Sequence, residues 1–102
     1  MLQITQRRQE GTLIAVYTGE LDHHAARAAI EQTEDLLVLF PCEKLVLDLS
    51  ELTFMDSSGI ALLIRARQRM QELGGTADVC GAAAQARRVL DAAGLQRYLT
   101  IR

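Results

Sequence analysis

At 102 residues and a formal charge of −2, with 49% apolar but only 4% aromatic residues, the chain is long enough for one domain whose core is built from Leu, Ile, Val and Ala. Lysines and arginines are scattered with no aromatic platform beside them, which leaves little electrostatic footprint for nucleic acid. No apolar run reaches the length of a membrane span and the first eight residues lack a signal-peptide core, so direct membrane insertion is not expected and a cytoplasmic protein is.

In chain order, strands are expected over Gln3–Arg7 and Leu13–Thr18, joined around Glu10-Gly11 as an antiparallel hairpin. The polar cluster Gly19-Glu20-Leu21-Asp22-His23-His24 follows, and Asp22 reads as the cap of a helix over Ala25–Phe40. Ala26, Ile30, Thr33, Leu37 and Phe40 form its core-facing stripe. A metal reading of the adjacent histidines is weak, because neighbouring side chains diverge on a helix and no acid or cysteine nearby completes a ligand set. No metal is expected. After Pro41, the only proline, Lys44–Leu49 is an apolar run expected to be a strand buried on both faces.

A second helix is expected over Ser57–Leu73, closed by Gly74-Gly75. Leu62, Leu63, Ala66, Met70 and Leu73 fall on one arc of it, with Arg65, Gln68, Arg69 and Glu72 opposite. Ile60 and Ile64 lie at the edge of that arc, near the serine end. They are either covered by neighbouring elements or form an apolar contact patch. A strand over Ala77–Cys80, a helix over Ala84–Ala93 with Gly94 past its end, and a strand over Tyr98–Ile101 complete the chain. Alternation of strands and helices after the hairpin implies right-handed crossovers and a mainly parallel sheet, hence a small α/β domain with a mixed sheet. Cys42 and Cys80 stand in neither a metal-binding nor a redox spacing, so two reduced thiols are expected.

Thr53-Phe54-Met55-Asp56-Ser57-Ser58-Gly59, at the strand-to-helix junction, is the most informative stretch. Asp56 and Ser57 stand where N-caps belong, and a helix N-terminus offers free amides and partial positive charge to an anion. Ser57 is therefore either a cap or a phosphoacceptor. Should the second and third strands be parallel, the Asp22 and Asp56-Ser57 loops leave the same sheet edge, where open α/β sheets build their sites. Ser57, His23 or His24, and Asp22 or Asp56 could nominally form a nucleophile, base and orienter. Against catalysis, there is no Gly-x-Ser-x-Gly elbow, no Gly-rich phosphate loop and little material to enclose a pocket, so no enzyme is expected.

Gly19-Glu20-Leu21-Asp22-His23-His24, the run Leu47 to Gly59, and Gly74-Gly75 through Val79-Cys80 together resemble the STAS-domain anti-sigma factor antagonists, most closely those that act on the sporulation sigma factor F. The likeness covers nearly the whole chain in one register. It implies the STAS fold, a mixed sheet of four to five strands with helices packed on it. It implies binding to an anti-sigma factor that is also a serine kinase, with release of the sigma factor. The family's phosphoacceptor is the first serine after the aspartate, Ser57 here, and a serine phosphatase restores it. Asp22, Asp56, Ser58, Gly59, Ile60 and Ile64 are then the partner-binding residues. No cofactor is expected, since ATP and its metal ion belong to the kinase. Two departures stand out: Ala61 replaces a second glycine common in the family, and the chain stops at Ile101-Arg102, leaving the C-terminal helix shortened or absent. The alternative on the same fold is a standalone docking subunit of a membrane transporter or of a stress-signalling scaffold.

Overall fold

A two-residue turn starts the architecture. β1 (Leu2–Gln9) and β2 (Thr12–Leu21) pair antiparallel from Gln9↔Thr12 to Leu2↔Gly19. Glu10 and Gly11 between them have φ of 50° and 78°. Two successive left-handed residues match the twist of a tight hairpin. The remaining elements are α1 (His23–Leu39), β3 (Lys44–Met55), α2 (Ser58–Glu72), β4 (Thr76–Cys80), α3 (Ala84–Ala92), a 3-10 turn (Leu95–Arg97) and β5 (Thr100–Ile101). The computed structural model describes all of Met1 to Arg102.

The sheet runs β1-β2-β3-β4-β5, with every pair after the first parallel. Each helix connects two neighbouring parallel strands in the same direction across the sheet, so right-handed crossovers put all three on one face. The mixed sheet, with helices linking its parallel strands, agrees with the expectation from sequence. Burial on both faces of the third strand does not. Leu45, Leu47 and Leu49 are fully buried under the helices, whereas Lys44 and Asp48 on the other face are only half-buried. Val46, flanked by Ile14 of β2 and Asp78 of β4, is nonetheless buried. Across this open face Asp78 receives Lys44 Nζ at 3.0 Å and Arg102 Nη2 at 2.8 Å, tying β3, β4 and β5 together.

The core between sheet and helices is aliphatic: Leu13, Ala15, Leu21, Leu62, Leu63, Met70, Val79, Leu90 and Leu95 are all essentially sealed from solvent. Its one large polar group is Tyr17, fully buried, whose hydroxyl bonds Thr33 Oγ1 of α1 at 2.7 Å. Burial holds the Tyr17 phenol well above its ordinary range, and the Thr33 bond only partly offsets this. The α1 stripe is as expected at Ala26, Thr33 and Leu37, with Ile30 and Phe40 half-buried. Leu73, assigned to the buried arc by periodicity, is exposed because it lies beyond the last turn of α2, and Ala93, the expected last residue of its helix, lies just past the end of α3 and is exposed too. The expected strand over Tyr98–Ile101 shortens to two residues, the 3-10 turn taking up the chain before it.

β3 extends six residues past Leu49, the expected end of the strand. Two register shifts against β2 explain why. Val16↔Asp48 gives way to Thr18↔Glu51, and Gly19↔Leu52 to Glu20↔Phe54, so β3 carries one extra residue at each place. Every bulge moves the inward position on by one. The inward residues therefore become Leu49, Leu52 and Met55, three apart, and the alternation that marks a strand disappears. Side chains secure the bulges: the Asp48 carboxylate accepts the Ser50 amide at 2.9 Å, and the Thr53 hydroxyl donates to Gly19 O at 3.1 Å.

Candidate functional site at the carboxyl edge of the sheet

β2 and β3 end side by side, with Leu21 opposite Met55 and the Asp56 amide donating to Leu21 O at 3.2 Å. The loops carrying Asp22 and Asp56 are thereby brought together at one sheet edge, as parallel pairing requires. Asp22 caps α1: its carboxylate accepts the amides of His24 and Ala25, both at 3.1 Å. This pins the first turn of α1 and orients the loop from the first residue after β2.

At α2 the two candidates for the cap divide the work unequally. The Asp56 carboxylate accepts the Ser58 amide at 2.8 Å, and Asp56 O accepts the Gly59 amide at 3.0 Å. Ser57 already has helical angles (φ −64°, ψ −18°), and its side chain makes no capping bond. Asp56 is therefore the functional cap. The Ser57 hydroxyl is exposed and uncommitted at the positive end of a 15-residue helix. Ser58 is half-buried one residue further in.

Gly59 is buried and makes this close seating possible. A Cβ there would lie 2.7 Å from Met55 Cγ and 3.0 Å from Leu21 Cδ2. Its part in the site is to let the first turn of α2 rest directly on the ends of β2 and β3. Ala61 is exposed. Ile60 and Ile64 are half-buried, each packed on the core with one side and open on the other.

Two features were invisible in the sequence. Gln85 of α3 clamps the end of β3, its Oε1 accepting the Met55 amide at 2.9 Å and its Nε2 donating to Met55 O at 2.7 Å. The side-chain amide thus supplies both bonds a further strand would have made. Beside it, an open groove of about 580 Å³ runs between the β3–α2 junction and α3, bordered by Phe54, Ser57, Ile60, Arg88, Val89 and Ala92. Gln85 carries no local motif. Phe54, a lone aromatic in a polar stretch, was the one available hint.

His23 and His24, expected to diverge, lie with ring centroids 3.9 Å apart, tilted by 38°. No group of three or more His, Cys, Asp and Glu residues gathers where a metal ion could be held. Cys42 and Cys80 are free and half-buried, and burial pushes both thiols up. The Asp48 carboxylate adds to the rise at Cys80. No helix is long and apolar enough to cross a membrane.

A family model described as the STAS domain matches residues 3–102. A curated protein of Paenibacillus polymyxa named "Anti-sigma F factor antagonist" is 35% identical over 98% of this chain and 86% of its own. Among solved structures, the anti-sigma factor antagonist SpoIIAA in its unphosphorylated form superposes with a TM-score of 0.80 at 22% identity, covering all of this chain and 88% of that one. The Bacillus cell fate determinant SpoIIAA in the phosphorylated form gives 0.71 at 22%, over all of this chain and 91% of that one.

Proposed function

The chain belongs to the STAS domain family and, within it, to the anti-sigma factor antagonists, and from that membership we propose a binding role switched by phosphorylation of Ser57. The unmodified protein binds an anti-sigma factor that is also a serine kinase and so frees the sigma factor. The similarity to an anti-sigma F factor antagonist supports sigma F of sporulation as the beneficiary. The kinase phosphorylates Ser57, a phosphatase reverses the step, and both act in the cytoplasm. ATP and its metal ion are carried by the kinase.

One observation carries the reading. Ser57 stands immediately before α2 with an exposed hydroxyl spared from capping, because Asp56 has taken the Ser58 amide. The surface around it offers Asp22, Asp56 and Ser58 as polar contacts and Ile60 and Ile64 as apolar ones, held in place by the buried Gly59. A phosphoryl group adds about −1.5 to −2 charges at neutral pH. The helix N-terminus tolerates that charge, so the fold survives it. The interface does not. Asp56 is adjacent and Asp22 sits on the neighbouring loop, and like charges about 4 Å apart cost on the order of 4 kcal/mol at an effective dielectric near 20. A fraction of this, felt against a partner that desolvates the loop, lowers affinity tenfold or more.

The test is incubation with the cognate anti-sigma factor kinase and ATP, followed by phosphosite mapping. Ser57→Ala is expected to abolish incorporation while Ser58→Ala retains most of it. Phosphate on Ser58, or none with an active kinase, overturns the assignment.

A further inference from the structure

We propose that the groove between α3 and the β3–α2 junction receives a short segment of the anti-sigma factor, with an apolar side chain seated on Phe54, Ile60 and Val89 and a carboxylate held by Arg88. This rests on the function proposed above and specifies a second contact, on the α3 side of Ser57.

Phe54 is the first ground. It is 41% exposed on the penultimate residue of β3, turned outward where the second bulge leaves Leu52 and Met55 facing the core. A phenylalanine at that exposure leaves apolar surface for a partner to cover, and Ile60, Val89 and Ala92 continue the surface across the groove. The floor is rigid, since both amide atoms of Gln85 are bonded to the Met55 backbone. A surface held in one shape before binding loses little entropy on docking.

Arg88 supplies the chemistry. It is exposed, it is the one cation bordering the groove, and it has no carboxylate partner: Asp91, the acid of its own helix, pairs with Arg87 at 3.4 Å. On the opposite rim, Asp56 is turned to the Ser58 amide. An unpaired guanidinium beside apolar surface suits a carboxylate, which it can grip through two parallel hydrogen bonds. The arrangement also couples to the switch. Ser57 borders the same groove, so a phosphate there repels the incoming carboxylate and competes with it for Arg88.

Titration against the cognate anti-sigma factor, with nucleotide present and phosphoryl transfer blocked, provides the test. Arg88→Glu and Ala92→Gln are surface changes that leave the circular dichroism spectrum unaltered. Arg88→Glu is expected to lower affinity tenfold or more, and Ala92→Gln about fivefold by putting polar bulk into the groove. Arg88→Lys keeps the charge but not the paired hydrogen bonds and is expected to fall between wild type and Arg88→Glu, while Arg87→Gln on the same helix outside the groove stays within about threefold. Wild-type affinity in both Arg88→Glu and Ala92→Gln overturns the groove while leaving the Ser57 switch standing. Failure of the unmodified protein itself to bind overturns the proposed function and this contact with it. Should Arg88→Glu abolish self-association instead, with affinity for the anti-sigma factor unchanged, the occupant is a second copy and the proposal is wrong.

Discussion

At the scale of single residues, the division of labour between Asp56 and Ser57 has measurable consequences. Asp56→Ala removes the carboxylate that accepts the Ser58 amide, and is expected to cost about 1 kcal/mol in thermal or urea denaturation. Ser57→Ala removes a hydroxyl that caps nothing and is expected to change stability by less than about 0.5 kcal/mol. Ser57→Asp adds an acid where a helix start welcomes one, so stability stays within about 1 kcal/mol of wild type. Its affinity for the anti-sigma factor is expected to fall tenfold or more, while Ser57→Ala binds nearly normally. Equal binding by the two folded variants would show that the phosphate acts by size or by reshaping the loop. The serine block and Asp22 were legible because caps and helix starts are local, decided within three or four residues. Gln85 and Arg88 were not, because they reach the junction from a helix some 30 residues further on, and only the sheet order brings α3 there.

Among the elements, β3 taught the most. Lys44–Leu49 reads as a strand because Leu45 to Leu49 is apolar but for Asp48, whereas Ser50–Met55 presents an inward residue at every third position and lacks the alternation of a strand. Two bulges produce that spacing, and bulges leave no mark in hydrophobic periodicity. The amphipathic helices were the easy part: Leu62, Leu63, Ala66 and Met70 are buried as their spacing requires, and errors are confined to helix ends such as Leu73. The seating of α2 on β2 and β3 gives a sharp test. Gly59→Ala puts a methyl closer to Met55 than real Cβ atoms come and tightly against Leu21, and is expected to destabilise the protein by about 1–3 kcal/mol, read by chemical denaturation. The helix-propensity gain of roughly 1 kcal/mol from replacing glycine does not cancel this. Lifting α2 off the sheet also moves Ser57, so the same variant is expected to be phosphorylated more slowly.

For the molecule as a whole, the buried Tyr17 phenol sets behaviour in alkali. An unfolded tyrosine ionises near pH 10, but the folded protein holds this one protonated well above that. Past pH 10 the unfolded chain therefore binds fewer protons than the folded one, and stability falls as pH rises. At neutral pH the shift contributes nothing. Tyr17→Phe is expected to flatten the decline above pH 10 while costing about 1 kcal/mol at pH 7, where Thr33 loses its partner. Following tyrosinate absorbance alongside circular dichroism checks this, since the Tyr17 signal should emerge only with unfolding. The order of strands in the sheet, finally, is their order in the chain. On a ribosome, where domains assemble from the N-terminus, every emerging strand meets a neighbour already made and none must be threaded between two others. The hairpin precedes α1 in the chain, and the serine-bearing turn follows β2 and β3, on whose ends it rests. Growth of the sheet by addition at one edge thus lets translation itself dictate the assembly pathway.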